Sequence, residues 1–136
     1  MSFQGSVAVR GAVPARGRGA LIGLWTAQVA LAGMFLLAGG SKLGGAPQMV
    51  ALFGAIGVGQ WFRYVTGSIE VASAVALLVP ALAPFAAVAL AATMIGAVVT
   101  HLFIIGGSPA IPAVLLLGSA FVAWARRDQL RAALGR

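Results

Sequence analysis

Residues 20–40 read ALIGLWTAQVALAGMFLLAGG, twenty-one positions without a charge. At 1.5 Å per residue an α-helix of that length spans about 30 Å, the thickness of a bilayer's hydrocarbon core. The run is therefore expected to be a transmembrane helix. Its apolar stretch exceeds the roughly 7–15 residues of a cleavable signal peptide. Although the small residues Ala38, Gly39 and Gly40 follow the core as in such a peptide, its length makes the segment read as a retained signal-anchor.

The rest of the chain fits the same solvent. Of 136 residues, 61% are hydrophobic and 8% charged, against about a quarter charged in a typical soluble domain. Two acidic and nine basic side chains cannot clothe a soluble exterior of this size. The net charge of +7 sits at the chain ends, with Arg10, Arg16 and Arg18 before the first apolar run and Arg126, Arg127, Arg131 and Arg136 after the last. Bases flank membrane spans in this way, and no basic stripe interleaved with aromatics points to nucleic acid. There is no cysteine and a single histidine, so disulfides, iron–sulfur clusters and cysteine metal sites are excluded, and no metal centre is expected.

Downstream of the first run, Gly44, Gly45 and Pro47 open a segment that Gly57 and Gly59 close. It is too short to cross a membrane. Pro47 suits a first helical turn, and Met49, Val50, Phe53 and Ile56 recur at helical spacing, so an interfacial helix on the outer surface is expected. Helix two is expected over 62–79, ending at Pro80; helix three over 84–105, stopped by Gly106 and Gly107; and helix four over 110–125, stopped by Arg126, Arg127 and Asp128. The expected fold is an all-α membrane protein: a four-transmembrane-helix bundle over 20–126 with a short interfacial helix between helices one and two. A flexible basic tail, 1–19, and a basic tail, 127–136, flank it. Seven basic residues in the tails, against Lys42 and Arg63 at the other side, place both termini in the cytoplasm by the positive-inside rule. Trp25 and Trp124 then fall near the inner interface, and Trp61 and Tyr64 near the outer one.

Polar residues at membrane depth are expensive and need a partner or a cavity. Lys42 at the outer end of helix one, Glu70 two turns into helix two and His101 one turn from the outer end of helix three all fall in the outer half of the bilayer. Arg63, Thr66, Glu70 and Ser73 recur at steps of three and four and form one stripe; Gln28, Phe35 and Lys42 share a face of helix one; Thr93, Ala97 and either Thr100 or His101 offer a face of helix three. These spacings predict a polar cluster of Lys42, Arg63, Glu70 and His101 opening outward. Bland readings stand beside it: Lys42 snorkelling to headgroups, Arg63 anchoring at the interface, Glu70 in a structural ion pair, and His101 satisfied by a backbone carbonyl. Gly40 and Gly44 form a GxxxG spacing that a turn at the helix end explains better than dimerisation. No P-loop, HExxH, GxSxG or dinucleotide fingerprint is present.

The segments FLLAGGSKL, VALFGAIGV, WFRYVTGSIEVASAVALLVP and MIGAVVTHLF resemble the DoxX-like family of small bacterial membrane proteins. The shared elements are Gly40, Lys42 and Leu43; Phe53 and Gly57; Gly67 and Glu70; and Thr100 and His101. The resemblance implies four helices, the bacterial inner (plasma) membrane and an association with a quinone-linked redox system. The first functional expectation is thus a membrane subunit whose site, from Glu70, His101, Lys42, Arg63 and Thr100, takes a lipophilic partner such as a quinone headgroup. The second is a non-catalytic assembly or scaffold subunit in contact with other membrane subunits or with copies of itself. A small-molecule transporter is third, since no inverted repeat is visible. Beyond a quinone no cofactor is expected, and the lipid bilayer is the first partner.

Overall fold

A computed structural model describes residues 17–135. Of the basic tail expected over 1–19, residues 1–16 lie outside the described residues, while Arg18 and Gly19 already belong to the first helix. Helix α1 runs Arg18–Leu43, α2 Pro47–Ile56, α3 Trp61–Leu77, α4 Ala83–Thr100, α5 Ala110–Ala125 and α6 Arg127–Leu134. Helix α4 continues into one π-helical turn, His101–Ile105. No strand occurs among the described residues. The all-helical class and the short helix between the first two long ones are therefore present.

Four full-length spans are not what the helix lengths give. Arg18–Leu43 and Ala83–Ile105, of 26 and 23 residues, are long and apolar enough to cross a membrane. Ala110–Ala125 joins this group only when counted with Arg127–Leu134, from which a 62° bend divides it. Helix α3 has 17 residues, about 26 Å, and carries Arg63 and Glu70. Its charges and its length both lower its claim to be a span in isolation. The expected basic tail over 127–136 is mostly the helical turn-out α6.

The surface is that of a membrane protein. Leu37 (75% exposed), Leu117 (70%) and Phe103 (79%) project outward, with no polar coat to cover them. Inside, Leu24, Leu31, Phe35, Ala74, Leu77, Ala87, Leu90, Leu115 and Val122 form one core between α1, α3, α4 and α5.

Helices α1 and α3 are antiparallel, because Lys42 near the end of α1 meets the start of α3 while Gln28 near its beginning meets the end of α3. Their backbones touch at Gly39 and Gly67. A Cβ at Gly39 would lie 2.9 Å from the Gly67 carbonyl oxygen, and one at Gly67 would lie 3.0 Å from the Gly39 oxygen. Small residues permit such approach where lipid offers no hydrophobic drive between helices. Gly40 faces open space, so the close packing lies one residue away from the GxxxG spacing.

Polar side chains cap helix ends at both extremities of this pair. At one, Gln28 Nε2 donates to the Leu77 carbonyl (2.7 Å), Arg126 Nε donates to Gln28 Oε1 (2.6 Å), Arg126 Nη1 to Gln129 Oε1 (2.7 Å), and Gln129 Nε2 to the Pro80 carbonyl (3.0 Å). The terminal carbonyls of a helix have no intrahelical donor; the Gln28 amide supplies one for Leu77, and the Gln129 amide donates to the Pro80 carbonyl in the turn after α3. At the other extremity Arg63 donates to Gln60 Oε1 and to the carbonyl of Lys42. Residues 28 and 42 are about 21 Å apart along α1.

Candidate functional site

Between α1, α3, α4 and α5, and roofed by α2, lies a cavity of about 530 Å³. It is within the range of about 300–1,000 Å³ usual for small-molecule sites. Met49, Leu52, Phe53 and Ile56 of α2 face it from above, and Phe53 packs edge-on against Phe62 with ring centroids 5.8 Å apart. Gly45 (φ 72°) leads into the roof, and Gly57 (φ 86°), in the left-handed region that favours glycine, ends it.

Two charged side chains reach the wall, Lys42 and Glu70. Lys42 Nζ lies 2.9 Å from Glu70 Oε1. The contact is a close ion pair set off the hydrogen-bond direction, for neither carboxylate oxygen has an aligned donor among the described residues. Glu70 is 0% exposed, and the Lys42 side chain 15%. The ammonium is therefore the more accessible member of the pair, and the carboxylate oxygens are sealed. The Gly39–Gly67 approach makes the pair possible: Glu70 Cβ would stand 3.0 Å from a Cβ at Gly39, and Lys42 Cβ the same distance from one at Gly67.

Ser108, in the loop before α5, accepts from the Ala110 N–H (3.2 Å), and the remaining polar groups on the wall are committed to their own helices. Ser41, Thr66, Thr93 and Thr100 hydroxyls donate to the carbonyls four residues earlier, at 2.7 to 2.9 Å. His101 Nδ1 lies 2.9 Å from the Ala97 carbonyl; since a carbonyl only accepts, Nδ1 is the donor, and a neutral ring then presents Nε2 as an acceptor. His101 opens the π-helical turn, a local widening that recurs at functional sites.

A family model described as the DoxX-like family matches residues 26–125. The chain belongs to the DoxX-like family. Neither a curated protein nor a solved structure matches it.

In this DoxX-like protein Lys42, Glu70, Thr100 and His101 all border one cavity. Arg63 does not. Its guanidinium is spent on Gln60 and the Lys42 carbonyl and stacks over the Tyr64 ring at 4.4 Å, so it braces the end of α1 beside the site. The carbonyl partner of His101 is the one that the bland reading of a lone histidine anticipates, while Nε2 has no partner among the described residues.

The pattern of polar residues hid one feature. Gln28 is 0% exposed and anchors the Arg126 network, although its partner lies 98 positions away. An uncharged amide inside an otherwise apolar run was the available signal, and a partner at that separation cannot be named from spacing.

Proposed function

We propose that this DoxX-like protein spans the bacterial plasma membrane four times, with both termini cytoplasmic, and binds a small lipophilic molecule through a polar head at Lys42. A quinone ring is the head that the family resemblance implies. The carrying observation is an apolar cavity of about 530 Å³ with one buried ion pair at its depth: an apolar pocket with few convergent polar groups suits an amphiphile.

The topology has its own support. Arg18, Arg127 and Arg131 lie at the end of the bundle opposite Lys42 and Arg63, in keeping with bases on the cytoplasmic side. Exposed Trp124 and Trp61 (61% and 58%) belong to opposite ends, where aromatic belts sit. Helices α3 and α5 complete the four crossings as short spans packed against α1 and α4, which lets the Gln28 and Lys42 ends shield their polar groups.

Lys42 supplies the donor for an oxygen of the bound head, and Glu70 acts as its counter-ion from beneath. This division differs from a direct role of Glu70 in hydrogen-bonding the ligand, because its oxygens are sealed. The competing reading, a non-catalytic assembly subunit whose ion pair only fixes the α1–α3 register, draws on the same Gly39–Gly67 contact.

Mass spectrometry of lipids and quinones that copurify in mild detergent separates the two. Gly96 borders the cavity, and a Cβ there meets nothing within 4 Å, so Gly96→Leu fills the space without straining the backbone. A quinone or other amphiphile present in wild type and lost in Gly96→Leu is the expected result. Equal content in both proteins, or none in either, removes the binding model and leaves the assembly subunit.

A further inference from the structure

The cavity's electrostatics narrow the kind of head it accepts. We infer that Glu70 is a specificity-determining residue, which neutralises Lys42 so that the site takes an uncharged carbonyl-bearing amphiphile and rejects one with a carboxylate head. The inference rests on the lipophile-binding reading above.

Three observations carry it. First, Lys42 and Glu70 are the wall's one ammonium and one carboxylate among the described residues, and their formal charges cancel. Arg63, the nearest further cation in sequence, is turned onto Gln60, the Lys42 carbonyl and Tyr64. Second, the accessible member of the pair is the ammonium, which only donates. The ligand atom that meets it must accept, as a ketone or quinone oxygen does. Third, the hydroxyls of Ser41, Thr66, Thr93 and Thr100 are already spent on backbone carbonyls, so apart from the Ser108 hydroxyl, in the loop before α5, the wall offers an anion no second strong donor.

Distances show why the charge matters. A head oxygen would sit about 2.8 Å from Nζ, and Glu70 Oε1 is 2.9 Å on the other side. A carboxylate head would therefore lie at most about 5.7 Å from the Glu70 carboxylate. Because Coulomb energy falls as 1/r, repulsion then cancels about half of the attraction to Lys42, and more if the three groups are bent. What is left has to offset the desolvation of a full charge in an apolar cavity. A carbonyl incurs neither the repulsion nor that desolvation.

The matched probes are 2-tridecanone and dodecanoate, which share an undecyl chain and a C=O and differ in a methyl against an O⁻. Their affinities for full-length protein in neutral detergent are to be measured by titration calorimetry at a pH where the acid is ionised. Wild type is expected to bind the ketone about tenfold or more tightly than the carboxylate, the affinity equivalent of one charge-assisted hydrogen bond. Glu70→Gln, nearly isosteric, is expected to raise dodecanoate affinity about tenfold and so erase most or all of the preference, and adding Lys42→Gln to it should remove the gain. Gly96→Leu should abolish binding of both probes, which locates them in this cavity.

Equal wild-type affinities, a wild-type preference for dodecanoate, or an unchanged ratio in a folded Glu70→Gln overturns the inference while the binding reading stands. No binding of either probe by wild type overturns both. If gel filtration shows that Glu70→Gln does not fold, the wild-type ratio decides alone.

Discussion

Replacing Gly39 by alanine should cost this protein far more than the same change one residue later. A Cβ at Gly39 would stand 2.8 Å from Val71 Cγ2, 2.9 Å from the Gly67 carbonyl oxygen and 3.0 Å from Glu70 Cβ. Ordinary carbon–oxygen contact begins near 3.4 Å, so α1 and α3 must part by about half an ångström. Val71 can rotate, but the Gly67 oxygen is backbone and cannot yield without moving its helix. Overpacking of this kind costs about 1–3 kcal/mol, and about 2 kcal/mol corresponds to a roughly thirtyfold fall in the folded-to-unfolded ratio. At Gly40 the added Cβ meets nothing within 4 Å, and alanine there should gain about 0.5–1 kcal/mol by reducing backbone entropy lost on folding. Reversible unfolding of Gly39→Ala and Gly40→Ala in mixed micelles, followed by circular dichroism, measures the difference. A Gly40→Ala that is the more damaging of the two, or a neutral Gly39→Ala, would refute this account of how α1 and α3 meet.

Further expectations come from the polar contacts. Lys42→Met leaves Glu70 buried without its counter-charge and should destabilise by about 3–5 kcal/mol, most of it restored in the Lys42→Met, Glu70→Gln double variant; a double-mutant cycle in the same unfolding assay reads the coupling. Gln28→Leu takes the donor from the Leu77 carbonyl and should cost about 1–3 kcal/mol, again by unfolding. Gly118→Ala places a Cβ 2.9 Å from Leu31 Cδ2, a flexible side-chain end, so a loss under about 1 kcal/mol is expected; a loss as large as that of Gly39→Ala would mean that the α1–α5 contact is as rigid as the α1–α3 one. Reporter fusions after Arg136 and within the Gly106–Pro109 loop should report opposite sides of the membrane, and the same side for both would refute the proposed topology.

The helices were legible because apolar runs and their glycine and proline boundaries act locally. Pro47 and Gly57 bracket α2, and Gly106 ends the α4 segment, through backbone preferences that need no tertiary context. Whether a helix is a span was harder, since α3 mixes an apolar face with Arg63 and Glu70, and α5 is cut off at its basic end. In the site, the nearness of Lys42 and Glu70 follows from an antiparallel register and helical spacing. The orientation of Arg63 does not, because spacing puts it on the Glu70 stripe, while the Lys42 carbonyl at the end of α1 and the Tyr64 ring draw it sideways. The Gly39–Gly67 contact and the Gln28–Arg126 bond join residues 28 and 98 positions apart, and only the packed bundle specifies such pairs.

The two capped ends of the α1–α3 pair bear on how the chain is made. A charged side chain at mid-bilayer costs about 2.5–3.5 kcal/mol on insertion scales, so α3, with Glu70 midway along it and Arg63 in its first turn, is a poor candidate to enter lipid unaided. Helix α1 leaves the ribosome earlier and is long and apolar enough to settle there alone. Waiting in the bilayer, it holds what α3 lacks: an ammonium for Glu70, a carbonyl for Arg63 and an amide for the last turn. Biogenesis in this order makes the first helix a receptor for the third, and the order of synthesis becomes part of the information that folds the protein.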